Sequence, residues 1–194
     1  MNKKAERILR KYKGKKAGVF VDDGNMFHAQ KRAGWFIDWR KFKKFLYKNF
    51  SIEFIRYYRG IYGLKERIDR RTREKHNRYS DILEGIGFDL IKRPLKKIYT
   101  RRKKNKFKYK CDFDAEIGFD IANNFKKVNS IIIVSGDSDF VCLARKLREE
   151  RRSFLMICFE RNAPWEIRKI HHLFLEDIKE SVVLTKRKPG FEPG

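Results

Sequence analysis

Hydrophobic residues follow two different spacings along the chain, and the two spacings alternate. Five runs are rich in apolar, β-branched or aromatic residues, at 17–23, 51–58, 88–91, 130–137 and 153–159. Such runs are typical of strands in a parallel sheet that is covered on both faces. Helical spacing of apolar residues predicts helices at about 38–48, 65–86, 113–126 and 138–150. Strands that alternate with helices predict an α/β fold of three layers, α/β/α, with a mainly parallel central sheet.

The predicted domain occupies residues 17–180 and is flanked by two segments of different composition. Residues 1–16 hold eight Lys or Arg and one Glu, and we expect them to form a basic N-terminal arm or a frayed helix. Residues 181–194 contain two of the four prolines, and we expect a disordered tail there.

A basic insertion interrupts the domain at 92–110. It holds eleven Lys or Arg and no acidic residue. The sequence Lys-Asn-Lys at its centre predicts a hairpin. Aromatic side chains that are interleaved with positive charges suit a single-stranded nucleic acid, since rings stack on bases and cations hold phosphates. The alternative is a solubilising hairpin whose aromatic residues only pack.

The charge of the whole chain narrows the class of partner. Its 194 residues include 49 Lys or Arg and 25 Asp or Glu, for a net charge of +24. This excess favours nucleic acid, and an anionic membrane surface only second. No apolar run approaches the roughly 18 residues of a membrane span, and the three cysteines form no CxxC pair. We therefore expect a cytoplasmic protein with reduced thiols that binds RNA and no membrane, with a homodimer left open.

The acidic residues of this basic chain gather behind the predicted strands. Asp22 and Asp23 end the first strand, and Asn25 follows two residues later. Asp137 and Asp139 follow the fourth strand. In an open parallel sheet, ligands bind outside the carboxyl ends of the strands, so both groups fall on the functional edge. A third group opens the helix at 113–126 and consists of Asp112, Asp114, Glu116 and Asp120.

Several of these acids also have a purely structural interpretation. Asp139 precedes a helix that it could cap, Asp112 fits a cap or a surface acid, and Asp120 could face solvent or pair with a lysine. Asp22 and Asp137 are harder to explain in this way, because carboxylates that end neighbouring buried strands repel each other. Such a pair is tolerable if one member stays protonated or if a divalent cation neutralises it. Oxygen donors without a set of His or Cys favour Mg²⁺ or Mn²⁺.

A cation held by aspartates beside a basic surface suits the hydrolysis of a phosphodiester. Asn25 could hold a metal-bound water or a phosphate oxygen, and Ser135 and Ser138 could donate hydrogen bonds to phosphate. In the insertion, the candidates for binding the substrate backbone are Arg101, Arg102, Lys103 and Lys104.

Three motifs resemble the NYN-domain family of PIN-like ribonucleases, in particular its LabA-like group: VFVDDGN at 19–25, KCDFDAEIGFD at 110–120 and IIIVSGDSDF at 131–140. The resemblance covers about 17–178 and implies a PIN-like fold whose acidic pocket binds Mg²⁺ or Mn²⁺ and cleaves RNA. It implies that the metal ligands and catalytic residues are Asp22, Asp114, Asp137 and Asp139. Asp120 matches a further acid of the family, and either Asp22 or Asp23 could face the metal.

The main hypothesis is therefore a metal-dependent ribonuclease, and the alternative is an RNA-binding or regulatory module without catalysis. The acids argue against the alternative, because a pocket that repels phosphate does not help binding. A phosphatase with Asp22 as its nucleophile usually has a second aspartate two residues later, where this chain has Gly24.

Overall fold

Six parallel strands form the central sheet of this computed structural model, which describes residues 2–63, 66–99, 107–161 and 163–185. The strands are β1 (Lys16–Asp22), β2 (Ser51–Ile61), β3 (Asp89–Pro94), β6 (Ser130–Val134), β7 (Ser153–Cys158) and β8 (His172–Phe174). Their order across the sheet is β3-β2-β1-β6-β7-β8, and every neighbouring pair is parallel. The predicted mainly parallel sheet is confirmed, with β8 as a short edge strand that the prediction did not include.

Helices cover both faces of the sheet. They are α1 (Lys3–Arg10), α2 (Asp23–Ala33), α3 (Trp39–Asn49), α4 (Arg70–Ile86), α5 (Asp114–Asn124), α6 (Phe140–Glu149) and α7 (Lys179–Val182), with 3₁₀ turns at Trp165–Lys169 and Leu175–Ile178. The helix predicted at 65–86 begins only at Arg70, because the carboxylate of Asp69 accepts a hydrogen bond from the Thr72 N–H and caps the helix there.

Two hydrophobic cores show that the fold has three layers. Along β1, Val19 and Val21 enter the core beneath α1 to α4 and α7, whereas Phe20 enters the core beneath α5 and α6. The side chains of the neighbouring strand β6 enter the two cores alternately in the same way, since successive side chains of a strand point to opposite faces. The predicted α/β/α architecture is therefore confirmed.

Residues 2–16 pack onto the domain through helix α1 and do not form a free arm. Asn2 caps α1 with its side chain, and Ala5, Leu9 and Tyr12 are buried in the core, one to two helical turns apart. The Tyr12 hydroxyl donates a hydrogen bond to the Phe154 carbonyl oxygen of β7. This short apolar stripe was missed at the level of the sequence because the segment is rich in basic residues.

The described residues of the insertion at 92–110 include the two paired strands expected of the predicted hairpin, whereas residues 92–94 belong to β3 of the central sheet. Strands β4 (Lys96–Tyr99) and β5 (Phe107–Lys110) pair antiparallel, with Tyr99 opposite Phe107. We call these two strands the basic hairpin.

The prediction of a disordered tail is wrong for residues 181–185. Val182 ends α7 and is buried in the core, and the Leu184 N–H donates to the Phe36 carbonyl oxygen. The four candidates from Arg101 to Lys104 and residues 186–194 lie outside the described residues. Among the helices that the structure describes, none is long and apolar enough to cross a membrane.

The packing of α1 predicts that its apolar stripe stabilises the domain. Leu9→Ala should lower the free energy of unfolding by about 2 kcal/mol, because Leu9 is 5% exposed and its loss leaves a cavity. Urea unfolding measures this change, with the exposed Lys13→Ala as the control. Equal stability of the two variants would mean that the segment is a loose arm in solution.

Candidate active site

The site is built around the junction between β1 and β6. Val21 pairs with Val134, so Asp22 and Ser135 leave the sheet next to each other. The Ser135 hydroxyl donates to Asp22 Oδ2 at 3.1 Å, and its oxygen accepts from the Asp137 N–H at 3.2 Å. The other oxygen of Asp22 accepts from the Asn25 N–H and caps α2. Ser135 therefore orients Asp22 and the loop that carries Asp137.

Asn25 and Ser138 have different surroundings in the structure. Asn25 Oδ1 accepts a hydrogen bond of 2.8 Å from the Gly136 N–H, which ties α2 to the loop after β6. Ser138 is half-buried and does not line the cavity described below. Of the three residues predicted to contact phosphate from this edge, only Asn25 lines that cavity.

Three aspartates from two elements converge in front of this junction. Asp114 begins α5, and Asp137 and Asp139 lie in the loop between β6 and α6. One carboxylate oxygen from each lies within 4.8 Å of the other two. We call these three residues the acid cluster. Asp22 lines the same cavity but is not a member of this cluster, and its two oxygens accept hydrogen bonds from the Asn25 N–H and the Ser135 hydroxyl.

Asp139 is not a helix cap, although it precedes α6. Its side chain makes no capping hydrogen bond, and its own N–H donates to Asp137 Oδ1 at 3.0 Å. Its carboxylate is exposed and remains within reach of a shared ion. The interpretation as a cap is therefore wrong for Asp139.

Electrostatic strain accompanies this crowding of carboxylates. Burial, the neighbouring Asp112, and the charges of Asp137 and Asp22 raise the pKa of Asp114 to about 7. Burial likewise raises the pKa of Asp22 to about 6, against the opposing effect of its hydrogen bonds to Asn25 and Ser135. The site therefore favours protons or a cation over a full set of negative charges.

Asp23 has a different environment from Asp22, although the two are adjacent. Asp23 is buried and forms an ion pair with Arg59 of β2, and the Tyr57 hydroxyl donates to it at 2.7 Å. Arg59 neutralises the Asp23 carboxylate, whereas the charge of Asp22 is among those that raise the pKa of Asp114. Asp22 is therefore the acid of the pair that interacts with the acid cluster. The sequence held only a weak signal for this ion pair, because β2 contains the charged residues Glu53 and Arg56 as well as Arg59.

Asp120 is also held away from the acid cluster. Its carboxylate accepts a hydrogen bond of 2.5 Å from the Tyr58 hydroxyl and lies 3.0 Å from Arg56 Nη1. It does not line the cavity. Its interpretation as a partner of a basic residue therefore describes its surroundings better than that of a metal ligand.

The acid cluster opens into a cavity of about 850 Å³. One wall comes from α2, with Phe27, His28 and Arg32, and another from the basic hairpin, with Ile98, Lys108 and Lys110 among its lining residues. The prediction that the insertion lies beside the acidic pocket is confirmed. Sequence reasoning had not singled out the cations of these two walls.

The two faces of the basic hairpin have different characters. Ile98, Lys108 and Lys110 line the cavity. On the other face the Tyr99 and Phe107 side chains are 68% and 40% exposed, and Lys97 Nζ lies 3.8 Å from the centre of the Phe107 ring. Tyr109 anchors the hairpin, because its ring packs against Tyr62 and its hydroxyl donates to Glu66 at 2.9 Å.

Comparison with known proteins agrees with this fold. The family model of the NYN domain matches residues 16–177. The chain is 26% identical over 182 residues to the low amplitude and bright protein LabA of Synechococcus elongatus, covering 93% of this chain and 94% of that protein. A crystal structure of a protein of unknown function from Vibrio parahaemolyticus has the same fold, with a TM-score of 0.66 at 20% identity, over 88% of this chain and 96% of that one.

The chain belongs to the NYN domain family, as the sequence motifs indicated. The family is nuclease-like and associated with RNA, and the aspartates of the acid cluster lie within the matched region.

The raised pKa of Asp114 predicts a pH-dependent stability difference. The folded state holds this proton up to about pH 7, whereas the unfolded chain releases it near 3.8, so the metal-free protein loses stability as the pH rises between these values. Asp114→Asn removes the penalty. After a discount for solvent screening we expect the variant to be about 1 kcal/mol more stable at pH 8 and no more stable at pH 4.

Urea unfolding at the two pH values, in the presence of a chelator, measures this difference. Asp81→Asn, on the exposed face of α4, is the matched control and should change stability equally at both pH values. A gain for Asp114→Asn that does not depend on pH would contradict the strained carboxylate.

Proposed function

We propose that this protein is a metal-dependent ribonuclease whose acid cluster binds Mg²⁺ or Mn²⁺. The observation that carries the proposal is the convergence of Asp114, Asp137 and Asp139 at the base of a cavity with cationic walls. A site built only to bind nucleic acid gains nothing from carboxylates that repel phosphate. This argument favours catalysis over a binding module without chemistry.

The donor set fits a hard divalent cation. All three donors are carboxylate oxygens, and Mg²⁺ binds such oxygens at about 2.1 Å, so oxygens within 4.8 Å of one another can share one ion after small side-chain rotations. The raised pKa of Asp114 supports this assignment, because a cation relieves the repulsion that produces the shift. When bound, such an ion activates water and stabilises the charge on the phosphate that is attacked.

The protein's own residues would bind and orient the substrate. Lys108 of the basic hairpin and Arg32 of α2 line the cavity on two sides, so each can hold a phosphate oxygen of a strand that lies across the acid cluster. Asp22 would act through Ser135 and Asn25, which fix the loop that carries Asp137. We regard Asp22 as a positioning residue, because its hydrogen bonds fix both the start of α2 and the loop that carries Asp137.

The surroundings of the cavity support RNA as the substrate. Burial and then the charges of Arg32, Lys31 and Lys108 lower the pKa of His28, so the positive potential extends across the mouth of the cavity. Tyr99 and Phe107 present exposed rings on the outer face of the basic hairpin, where a base can stack.

The acid cluster predicts a sharp loss of activity on substitution. Asp137→Asn removes one charge but little volume, so RNA cleavage should fall by about two to four orders of magnitude, while Asp81→Asn on α4 should retain it. Cleavage of labelled RNA with Mg²⁺ or Mn²⁺ measures this, and a chelator should abolish cleavage without unfolding the protein. Retained cleavage in Asp137→Asn would overturn the assignment, and RNA binding without any cleavage by the wild type would favour the binding module.

The cavity wall predicts which lysine holds phosphate. Lys108→Ser should weaken binding of single-stranded RNA of any sequence and reduce the salt dependence by about 0.7 log units for one lost phosphate contact. Fluorescence anisotropy over a salt series measures both quantities. Lys44→Ser, an exposed lysine of α3 that does not line the cavity, is the control. If the two variants bind alike, the basic hairpin is not a contact for RNA.

A further inference from the structure

A second concave site lies at the edge of the sheet that is formed by the amino ends of its strands, opposite the acid cluster. This cavity has a volume of about 400 Å³ and is lined by Gly14, Lys15, Asn129, Arg151, Arg152 and Ser153. These residues lie at the amino ends of β1, β6 and β7. No carboxylate is among the described residues that line it.

The cations of this second cavity are held by neutral groups. Lys15 Nζ donates to the Ser153 hydroxyl oxygen at 2.7 Å, and Arg152 Nη1 donates to the Val128 carbonyl oxygen at 3.0 Å. Neither bond neutralises a charge. Positive charges that share a cavity repel one another, and an anion would relieve that repulsion.

The positive potential continues around the second cavity. Burial lowers the pKa of His171, and Lys11, Arg148 and Lys15 lower it further because their charges oppose a protonated ring. The cations of the cavity are thus part of a concentration of positive charge at this edge of the sheet.

The backbone of Arg151 provides an independent observation. Arg151 follows α6 with φ at +56°, and it is the only residue other than glycine with a positive φ in the described part of the chain. The left-handed residues that follow α2 and α4 are Gly34 and Gly87, as expected, since glycine adopts this conformation without strain. An arginine is less stable than a glycine in this backbone conformation. We therefore expect the side chain of Arg151 to have a role that offsets this strain.

We propose that this cavity is a phosphate-binding site that holds the backbone of an RNA strand whose scissile part lies at the acid cluster. The RNA part of the proposal rests on the proposed function. A guanidinium binds a phosphate through two parallel hydrogen bonds, and a nearby ammonium adds a point charge. The six residues of β7 separate the two edges by about 20 Å. A long strand can therefore reach both sites, whereas a short one occupies only one.

Arg151→Gly provides a test with two opposite readouts. The variant loses the positive charge and also the backbone strain, so its melting temperature should rise while its affinity for a long single-stranded RNA falls about fivefold at 0.1 M salt. A four-nucleotide RNA should bind to the variant and to the wild type equally well. Fluorescence anisotropy in chelator measures binding without cleavage.

Two further variants isolate the cause. Arg151→Lys keeps the charge and should retain most of the affinity for long RNA. Lys146→Gln removes an equal charge from α6, the helix that precedes Arg151. Lys146 pairs with Glu149 outside the cavity, so this variant should bind long RNA as the wild type does.

Titration with inorganic phosphate, followed by calorimetry, distinguishes the two sources of the phosphate group. If Arg151→Gly loses phosphate binding but binds long RNA normally, the site takes a free phosphate ligand. If Arg151→Gly differs from Lys146→Gln in neither assay, the proposal is wrong. Because all binding is measured in chelator, a protein without nuclease activity would overturn the proposed function and leave this result unaffected.

Discussion

Val21 of β1 pairs with Val134 of β6, and the geometry of the candidate active site depends on this parallel register. It places Asp22 and Ser135 side by side, and the hydrogen bonds of Ser135 link Asp22 to the loop that carries Asp137. A shift of one residue would turn every side chain of β1 to the opposite face of the sheet and break this link. The apolar residues of the two strands therefore determine where the acids meet.

The two edges of the sheet have opposite electrostatic characters. Carboxylates gather at the carboxyl ends of β1 and β6, and cations that are hydrogen-bonded to neutral groups line the cavity at the amino ends of β1, β6 and β7. One RNA strand would require both edges if cleavage at the acid cluster and phosphate binding at Arg151 act together. Asp23 shows how the fold limits the charge at the acidic edge, because Arg59 neutralises this carboxylate in a buried ion pair.

The sequence predicted the elements whose signals are local, and missed those that depend on tertiary contacts. Apolar runs followed by aspartates indicated the parallel sheet and its acidic edge, and a charge-rich segment around Lys-Asn-Lys indicated the basic hairpin. The ion pair of Asp23 joins residues 36 positions apart, and the choice between Asp22 and Asp23 was therefore open before the structure. The inward bonds of Ser135 and Asn25 were missed for the same reason, since a polar side chain after a strand fits a ligand or a neighbouring loop equally well.

The account depends most on the claim that Asp114, Asp137 and Asp139 bind one divalent ion. The most direct measurement is a crystal structure of the protein soaked in Mn²⁺, with the ion located by its anomalous scattering. The account predicts a peak among these three carboxylates and no peak there in crystals of Asp137→Asn. Crystals of the wild type with no peak at this position, or with Mn²⁺ bound only at other acids, would contradict it.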